Sequence, residues 1–338
     1  MSLAWAGQAL AFGTIHYDPT GKIVKQNAEH EKITRLAFRD LVMGEDTLSQ
    51  LAGVSGGVLP GTFGAVGSPD LYKTLTPNAH CDDGDFRDDV GPYPRTQTEA
   101  WQNLVDCRKL MFDNLNQAVI EAGRLVNPDL SINYPIPPLT WILSSCTWFG
   151  SGRAKCDVLQ SVGRAFHAAQ DFYSHSNWSD HRLPPEMKAR LETPDGLGNT
   201  VIADFSNPRM PLQAVPVPGL LTGCFVAIGH GCDGHTQHAD LNKDTGAIDR
   251  DSFVIGDGTT KRGELYEDKH DPTTPAGDPA LIGNFHMAVK LAVEDTIDKW
   301  KYFQEQILAT YPGPRGYRIL CVVRSDYPKD CRNVVTPN

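Results

Sequence analysis

Several features common in other protein classes are missing from this sequence. It contains no apolar run of about eighteen residues, so a transmembrane helix is not expected. Lysine and arginine form no cluster and the formal net charge is −10, which argues against a general nucleic-acid-binding surface. None of the eight cysteines has the Cys-x-x-Cys spacing of a zinc knuckle, so cysteine metal sites are not expected.

The composition is that of a globular protein with long loops. Apolar residues make up 40% and charged residues 21% of the chain, while 31 glycines and 24 prolines predict long irregular connections. A length of 338 residues fits one large domain. We expect an N-terminal extended segment over 1–26, a helical core over 27–310 and a C-terminal tail over 311–338.

The cysteines form an even set in which three pairs lie close together in sequence. Each pair closes a short loop, which favours disulfides over free thiols, although the sequence does not define the connectivity. These pairs are Cys146 with Cys156, Cys224 with Cys232, and Cys321 with Cys331.

The first thirteen residues, MSLAWAGQALAFG, are mildly apolar and lack a basic start. They resemble the remnant of an export signal whose beginning has been replaced. We therefore predict a secreted or periplasmic protein, with no complete signal peptide in this chain.

Apolar residues recur at helical spacing in several segments, which predicts a mainly α fold. Helices are predicted over 28–42 behind the cap candidate Asn27, and over 98–126, 156–177 and 279–308, with a short helix over 184–192. A long loop is predicted over 51–76, and RILCVV at 318–323 is predicted to form a strand. The expected architecture is a multi-helix bundle with long Gly/Pro-rich loops and a small C-terminal β element.

The stretch HAAQDFYSHSNW, at 167–178, concentrates potential metal ligands on one predicted helix. His167, Asp171 and His175 are four residues apart, so they fall at roughly 0°, 40° and 80° on one face and can point at one cavity. A solvated polar face is the alternative. The aromatic residues around this stripe favour burial, and a buried His/Asp/His set needs partners that a metal ion supplies. Gln170 and Asn177 are expected to orient the ligands or bind a bridging water.

Histidine occurs beside carboxylates in other separated segments as well. Because helices of one bundle can converge on a shared core site, these residues are candidates for the same centre. Two acidic, histidine-containing stretches, at 80–89 and 229–240, fit cation binding. The oxygen-rich DDGDFRDD at 82–89 predicts that calcium could bind there as an accessory cation. The candidate metal ligands are His30, His80, Asp82, Asp83, His167, Asp171, His175, His238 and His286.

The string HAAQDFYSHSNW resembles the signature of the Het-C family of heterokaryon incompatibility proteins. Three further pieces are similar to that family: AFG at 11–13, HEKIT at 30–34 and HADLNKD at 238–244. Het-C-like proteins are in turn distantly similar to zinc-dependent phospholipase C and P1 nuclease, whose α-helical fold holds three zinc ions. The resemblance implies this fold and one to three zinc ions.

By that resemblance, an early-helix histidine corresponds to His30, and a late-helix histidine corresponds to His286. His80 with Asp82 or Asp83, and the pair His167 and Asp171, correspond to the other family ligands. The sequence departs from the pattern at Asn177, where the enzymes have a histidine, and at Lys290, where they have an acid.

The function expected from these features is a metal-dependent phosphodiesterase of phospholipase C type. Asp82, Asp83 and Asp171 are the candidate catalytic residues, each as a ligand or as a general base. The substrate would be a phospholipid or another phosphodiester, met in transient contact with a membrane surface. A nuclease would use the same metals but is disfavoured by the acidic charge. A non-enzymatic incompatibility, toxin or interaction protein, with a structural metal or polar site, is the alternative.

Overall fold

The computed structural model describes most of the chain, and the structural statements below concern only that part. The described residues are 12, 14, 27–54, 63–73, 76–133, 146, 148, 153–182, 194–211, 215–225, 231–249, 252, 254–258, 260, 262 and 283–336.

The described residues form a mainly helical protein with one small antiparallel sheet. The helices are α1 (Glu29–Phe38), α2 (Glu45–Ala52), α3 (Gly64–Tyr72), α4 (Gln97–Ala122), α5 (Ala154–His175), α6 (His238–Leu241), α7 (Asn284–Thr310) and α8 (Pro314–Arg324). The two strands are β1 (Gly246–Ile248) and β2 (Ile255–Gly258). Short 3-10 turns cover Pro77–Ala79, Gly123–Leu125, Asp204–Ser206 and Pro328–Asn333.

Helix α5 lies at the centre of the fold and packs against α3, α4 and α7. Val162 and Phe166, near its middle, belong to an apolar cluster that also contains Trp300. Its second half contributes Phe172 to another cluster around Phe285. Because α5 is enclosed by apolar side chains along its length, its polar residues must find partners inside the protein.

Gly163 allows α3 to approach α5 closely. A Cβ atom at position 163 would lie 2.5 Å from Ala65 Cβ and 2.6 Å from its carbonyl carbon. This close approach places Asp70, near the end of α3, beside His167 on the next turn of α5.

We expect Gly163→Ala to destabilise the protein by about 1–3 kcal/mol, the usual cost of overpacking a dense core. The added methyl group would push α3 away from α5 and move Asp70 from His167. Urea denaturation measures the loss. The same substitution at Gly91, where a Cβ meets nothing within 4 Å, is the matched control and should change stability by less than about 1 kcal/mol.

The predicted helices agree with the structure in position, with shifts at their ends. The first helix starts behind Ala28, which has φ 53°, and not behind Asn27 as predicted. Asn27 instead donates its side-chain amide to the carbonyl oxygen of Gly246 at 2.8 Å. The side chain of Asn27, which the local sequence predicted to cap the helix, therefore makes a long-range contact instead.

Two local predictions were wrong. The predicted loop 51–76 contains α3, which forms although it includes Pro69, because Gly64 to Asp70 are all buried. The predicted strand RILCVV is helical and belongs to α8, whose residues Ile319 and Val323 are buried in the first apolar cluster. The short apolar run did not distinguish helix from strand. The predicted helix over 184–192 lies outside the described residues.

All eight cysteines form disulfides. The three predicted local pairs are confirmed, and Cys81 joins Cys107 of α4 as the fourth. Four disulfides are typical of a protein from an oxidising compartment, as predicted from the cysteine spacing and the N-terminal segment. Within the described part of the chain, none of the helices has the length and apolar character needed to cross a membrane.

Candidate metal centre

Histidine and aspartate side chains from separate elements converge around α5 in two groups. Each group brings one donor atom per residue within 4.8 Å of the others. The first group comes from α1, α3 and α5: His30, Asp70, His167 and Asp171. The second group comes from a loop, α5 and α6: Asp82, His175 and His238. All seven residues are buried.

The donor spacing in the first group matches a tetrahedral ion. His30 Nε2 lies 3.2 Å from Asp171 Oδ1, and His167 Nε2 lies 3.6 Å from Asp70 Oδ1. Zinc with bonds of 2.0–2.1 Å places neighbouring tetrahedral ligands about 3.3 Å apart. Thr14 donates to the other oxygen of Asp70 at 2.5 Å, which leaves Oδ1 directed at His167.

Gln170 determines which nitrogen of His30 carries a proton. Thr296 donates its hydroxyl to the carbonyl oxygen of Ala292, so it accepts from the Gln170 amide nitrogen. The amide oxygen of Gln170 therefore faces His30 Nδ1 at 2.7 Å and accepts its hydrogen. In neutral His30, the lone pair of Nε2 then faces the Asp171 carboxylate at 3.2 Å, so either a proton or a metal ion must lie between these two atoms.

His80 lies beside the first group. Its Nδ1 is 2.9 Å from Asp171 Oδ2 and 3.0 Å from His167 Nε2. Its Nε2 lies 3.3 Å from the carbonyl oxygen of Lys73, which can only accept. That contact leaves a lone pair on Nδ1, so His80 is a further potential ligand.

The second group contains two imidazole rings between two carboxylates. Asp82 Oδ1 lies 3.6 Å from His175 Nδ1 and 3.1 Å from His238 Nδ1. On the opposite side, Asp244 Oδ1 lies 2.7 Å from His175 Nε2, and Asp244 Oδ2 lies 3.8 Å from His238 Nε2. Asp244 thus orients the imidazole of His175, as carboxylates do behind metal-bound histidines.

Both groups contain buried polar atoms that make no hydrogen bond to the described part of the protein. Each such atom is costly in a protein interior, and their concentration in one place calls for an explanation. These atoms are His30 Nε2, Asp82 Oδ2, His167 Nδ1, Asp171 Oδ1, His175 Nδ1 and His238 Nε2, with Asp244 Oδ2 beside the second group. A divalent cation in each group would satisfy those that face the other donors of their group, His30 Nε2 and Asp171 Oδ1 in the first and His175 Nδ1 in the second.

The carboxylates favour positive charge on His30 and His238 when no metal is bound, whereas burial lowers the pKa of His167. Burial alone would lower the pKa of His30, but the Asp171 carboxylate outweighs it and raises that pKa to about 9. Burial likewise opposes charge on His238, whereas Asp82 raises its pKa to about 10. Burial favours the neutral form of Asp244, yet His175 brings its pKa down to about 2. Protons therefore compete with metal for the histidines.

We expect metal-free protein to lose stability as the pH rises. The raised pKa values of His30 and His238 contribute stability fully below about pH 6.5, and this contribution is lost as the pH passes through about 9 and 10. Metal binding displaces these protons, so metal affinity should rise with pH over the same range, about tenfold per unit for each proton released. Urea denaturation with chelator, and calorimetry in buffers of different ionisation enthalpy, measure the two effects. Equal affinities at pH 7 and 9 would contradict this assignment.

A third grouping, Asp85 with Cys224 and His235, is unsuited to metal. Its donor atoms also lie within 4.8 Å of one another, but Cys224 is bonded to Cys232 and provides no thiolate. Asp85 is neutralised by an ion pair with Arg95.

Two other acids of the DDGDFRDD stretch, Asp83 and Asp89, are paired with arginines. Arg95 lies 3.4 Å from Asp83, and Arg87 pairs with Asp89 at 2.6 Å. These contacts do not support an accessory calcium site in this loop.

The remaining predicted site residues lie apart from the two groups. His286 is half-buried on α7 and belongs to none of the groupings among the described residues. Asp83 accepts from the backbone nitrogen of Phe225 at 3.2 Å, in addition to its pairing with Arg95. Asn177 donates to the carbonyl oxygens of Asp195 and Gly219 and accepts from Leu221, so its side chain joins loops.

The three residues on one face of α5 contribute to two separate groups, whereas the sequence predicted that they would point into one cavity. His167 and Asp171 belong to the first group and His175 to the second. Two acids were not predicted. Asp70 lies in a Gly/Pro-rich stretch without a detectable signal, whereas Asp244 ends the HADLNKD segment and could have been identified from it.

The sequence matches no protein-family model, and comparison with curated proteins and with solved structures also finds no match. The resemblance to the Het-C family therefore stays a prediction.

Proposed function

We propose that this protein is a zinc-dependent phosphodiesterase that holds one ion in each of the two groups. The observation that carries the proposal is the set of buried nitrogen and oxygen atoms left without hydrogen bonds in the described residues of both groups. Neutral imidazole and carboxylate are the ligand types that zinc accepts. The resemblance of HAAQDFYSHSNW to the Het-C signature, and through it to phospholipase C, supports the choice of reaction.

The two groups differ in the number of protein ligands. The first has four, His30, Asp70, His167 and Asp171, which is typical of a closed structural zinc site. The second has three, Asp82, His175 and His238, which leaves a fourth position for water or substrate. We therefore assign catalysis to the second group. The first group, in our proposal, stabilises α5, the helix that carries His175.

A divalent ion in the second group would polarise a phosphoryl oxygen and lower the pKa of a water molecule towards neutrality. Asp171 and His175 are one helical turn apart, about 6 Å along the axis, so side chains from both groups can approach one phosphodiester. The least buried histidines of this region are His80 and His238. The ring of Phe225 lies 5.5 Å from that of His238, so we expect substrate to approach beside Phe225.

Asp82 is the acid best placed to accept a proton. Asp171 is enclosed by His30, His80 and His167, which commits it to ligation. Asp83 is paired with Arg95. Asp82 directs Oδ1 at the histidines, and its Oδ2 makes no hydrogen bond to the described residues. We therefore assign to Asp82 a ligand role through Oδ1 and a proton-accepting role through Oδ2.

A zwitterionic phospholipid head group suits this acidic protein better than a polyanion. The net charge of −10 would repel nucleic acid but not phosphatidylcholine, whose head group carries no net charge. The substrate we propose is therefore a phospholipid, reached in transient contact with a membrane surface.

Activity of the metal-depleted and reloaded protein tests the proposal. Chelator-treated protein should not hydrolyse bis(4-nitrophenyl) phosphate or phosphatidylcholine vesicles, and added zinc should restore hydrolysis. Calcium added alone is the control and should not restore it. Zinc-loaded protein that hydrolyses neither substrate would overturn the enzymatic proposal.

A structural role without catalysis is the second candidate. The observation that favours it is the burial of every ligand in both groups, which is also found in closed structural sites. In that case, metal removal would lower the melting temperature of a protein that shows no hydrolysis when it is loaded.

A further inference from the structure

The second group differs from the first in what holds its ligands. Every ligand of the first group lies on a helix, α1, α3 or α5. In the second group, Asp82 lies in the loop that precedes α4, and His238 begins the four-residue helix α6. The positions of these two ligands therefore depend on contacts between loops.

The backbone around Asp82 adopts a conformation that needs support. The residues on either side of it, Cys81 and Asp83, have φ of 55° and 64°. This left-handed region is unfavourable for residues other than glycine, and such residues persist only where surrounding contacts hold them. Cys81 is held by its disulfide with Cys107 of α4. Asp83 must be held by other contacts.

Arg95 and Asn103 supply the contacts on the Asp83 side. Arg95 Nη1 donates to the carbonyl oxygen of Asp83 at 2.6 Å, and the side-chain amide of Asn103, on α4, donates to the same oxygen at 2.7 Å. Arg95 Nη1 also donates to Asp85 Oδ1, with which it forms an ion pair. Asp85 therefore fixes the guanidinium that holds the backbone beside Asp82.

Asp85 also contacts the segment that leads to His238. Its other oxygen, Oδ2, accepts from Tyr93 Oη at 2.6 Å and lies 2.7 Å from His235 Nδ1, which donates because an ionised carboxylate only accepts. The backbone nitrogen of Thr236 donates to the same Tyr93 oxygen at 2.7 Å. The Asp85 carboxylate thus holds two consecutive residues shortly before His238, one directly and one through a tyrosine.

These contacts explain why Asp85 and His235 lie together although their grouping is unsuited to metal. Asp85 has 0% exposure, and both of its oxygens accept hydrogen bonds. Hydrogen bonds to a buried carboxylate are among the stronger ones in proteins. Contacts behind metal ligands orient those ligands and thereby set the affinity of the metal site.

We propose that Asp85 is a positioning residue for the second metal site. It holds the Asp82 loop through Arg95 and the His238 segment through Tyr93 and His235, so that both ligands can face one ion. Asp82 Oδ1 and His238 Nδ1 lie 3.1 Å apart in this arrangement. The inference rests on the proposed metal binding and adds the residue that sets the affinity of the second site.

Calorimetric titration of the metal-depleted full chain with zinc tests the inference. Asp85→Asn should weaken the binding of one ion by about 10–100-fold, the usual effect of changing a residue behind a metal ligand, and leave the other within about twofold. The control is Asp157→Asn, which removes a buried acid paired with Arg124 at 2.6 Å near the start of α5, far from His175 at its end. It should leave both affinities unchanged.

The Asp82→Asn background identifies the affected ion, because its second site lacks a ligand. In that background, Asp85→Asn should change the affinity of the remaining ion by less than about twofold, since the two changes then act on one disabled site. Wild-type affinity for both ions in Asp85→Asn would overturn the positioning role and leave the proposed function standing. Equal weakening of both ions would overturn it too, because it would show a general loss of structure. A wild-type chain that binds no zinc would overturn both.

Tyr93→Phe provides the test if Asp85→Asn does not fold. It retains the ring and removes only the hydroxyl that donates to Asp85 and accepts from Thr236. The affinity of one ion should again fall, by about tenfold. The control is Tyr311→Phe, which removes a hydroxyl that donates to the carbonyl oxygen of Val119 at 3.3 Å, away from both groups. Equal zinc affinities in Tyr93→Phe and Tyr311→Phe would contradict the positioning role.

Discussion

Asp82→Asn is expected to reduce phosphodiester hydrolysis by at least about a hundredfold while leaving the helices intact. The substitution removes the charge that faces His175 and His238 and the oxygen assigned to accept a proton. A positioned general base contributes about 10²–10⁴ to a rate, and loss of a metal ligand adds to the effect. Steady-state kinetics with bis(4-nitrophenyl) phosphate, at saturating zinc, measures the change.

Asp88→Asn is the matched control for this experiment. Asp88 lies in the same acidic stretch but is exposed and belongs to neither group. Its substitution should change the rate by less than about twofold, because exposed charges interact weakly. An Asp82→Asn variant that retains the wild-type rate would exclude Asp82 from the reaction.

Asp171→Ala is expected to lower the free energy of unfolding by about 3–5 kcal/mol. Asp171 is fully buried between His30, His80 and His167. Removing the carboxylate leaves buried histidines without their counter-charge, and it also removes a ligand of the first site. Urea denaturation at pH 7 measures the loss in both metal-free and zinc-loaded protein.

The comparison variant is Asp113→Ala, which removes a surface acid paired with Lys109 on α4. An exposed ion pair is screened by solvent and contributes little to stability, so this change should be small. If Asp171→Ala destabilised the protein no more than Asp113→Ala, the buried histidines of the first group would not depend on Asp171 as their counter-charge.

The central motif could be identified from sequence because its information is local. The spacing of His167, Asp171 and His175 defines one face of a helix, and the flanking aromatic residues indicate its burial. The structure confirms a mainly helical fold built around this helix. The division of the face between two groups could not be predicted, because it depends on which loops reach each turn of α5.

Asp70 shows where sequence patterns fail. The residues of α3 include Pro69 and two glycines, so their local propensity favours a loop. The helix forms because it is buried against α5, and that burial depends on Gly163, almost a hundred residues further along the chain. No local pattern contains this information.

The sequence departs at two positions, Asn177 and Lys290, from the pattern that the predicted resemblance implies. Asn177 replaces an expected histidine, yet His175 already supplies the second group with a nitrogen donor. Lys290 replaces an expected acid, yet Asp244 places a carboxylate beside His175 and His238. Sequence spacing identified His175 but not Asp244, because only the fold brings the segment that follows α6 beside α5.

The most direct test of the account is the metal content of the purified full chain at neutral pH. Inductively coupled plasma mass spectrometry after exhaustive dialysis against metal-free buffer should find two zinc ions per chain. Calorimetric reloading of chelator-treated protein at pH 7 should release protons from His30 and His238. A chain that retains no divalent metal, and binds none when zinc is added back, would contradict the account.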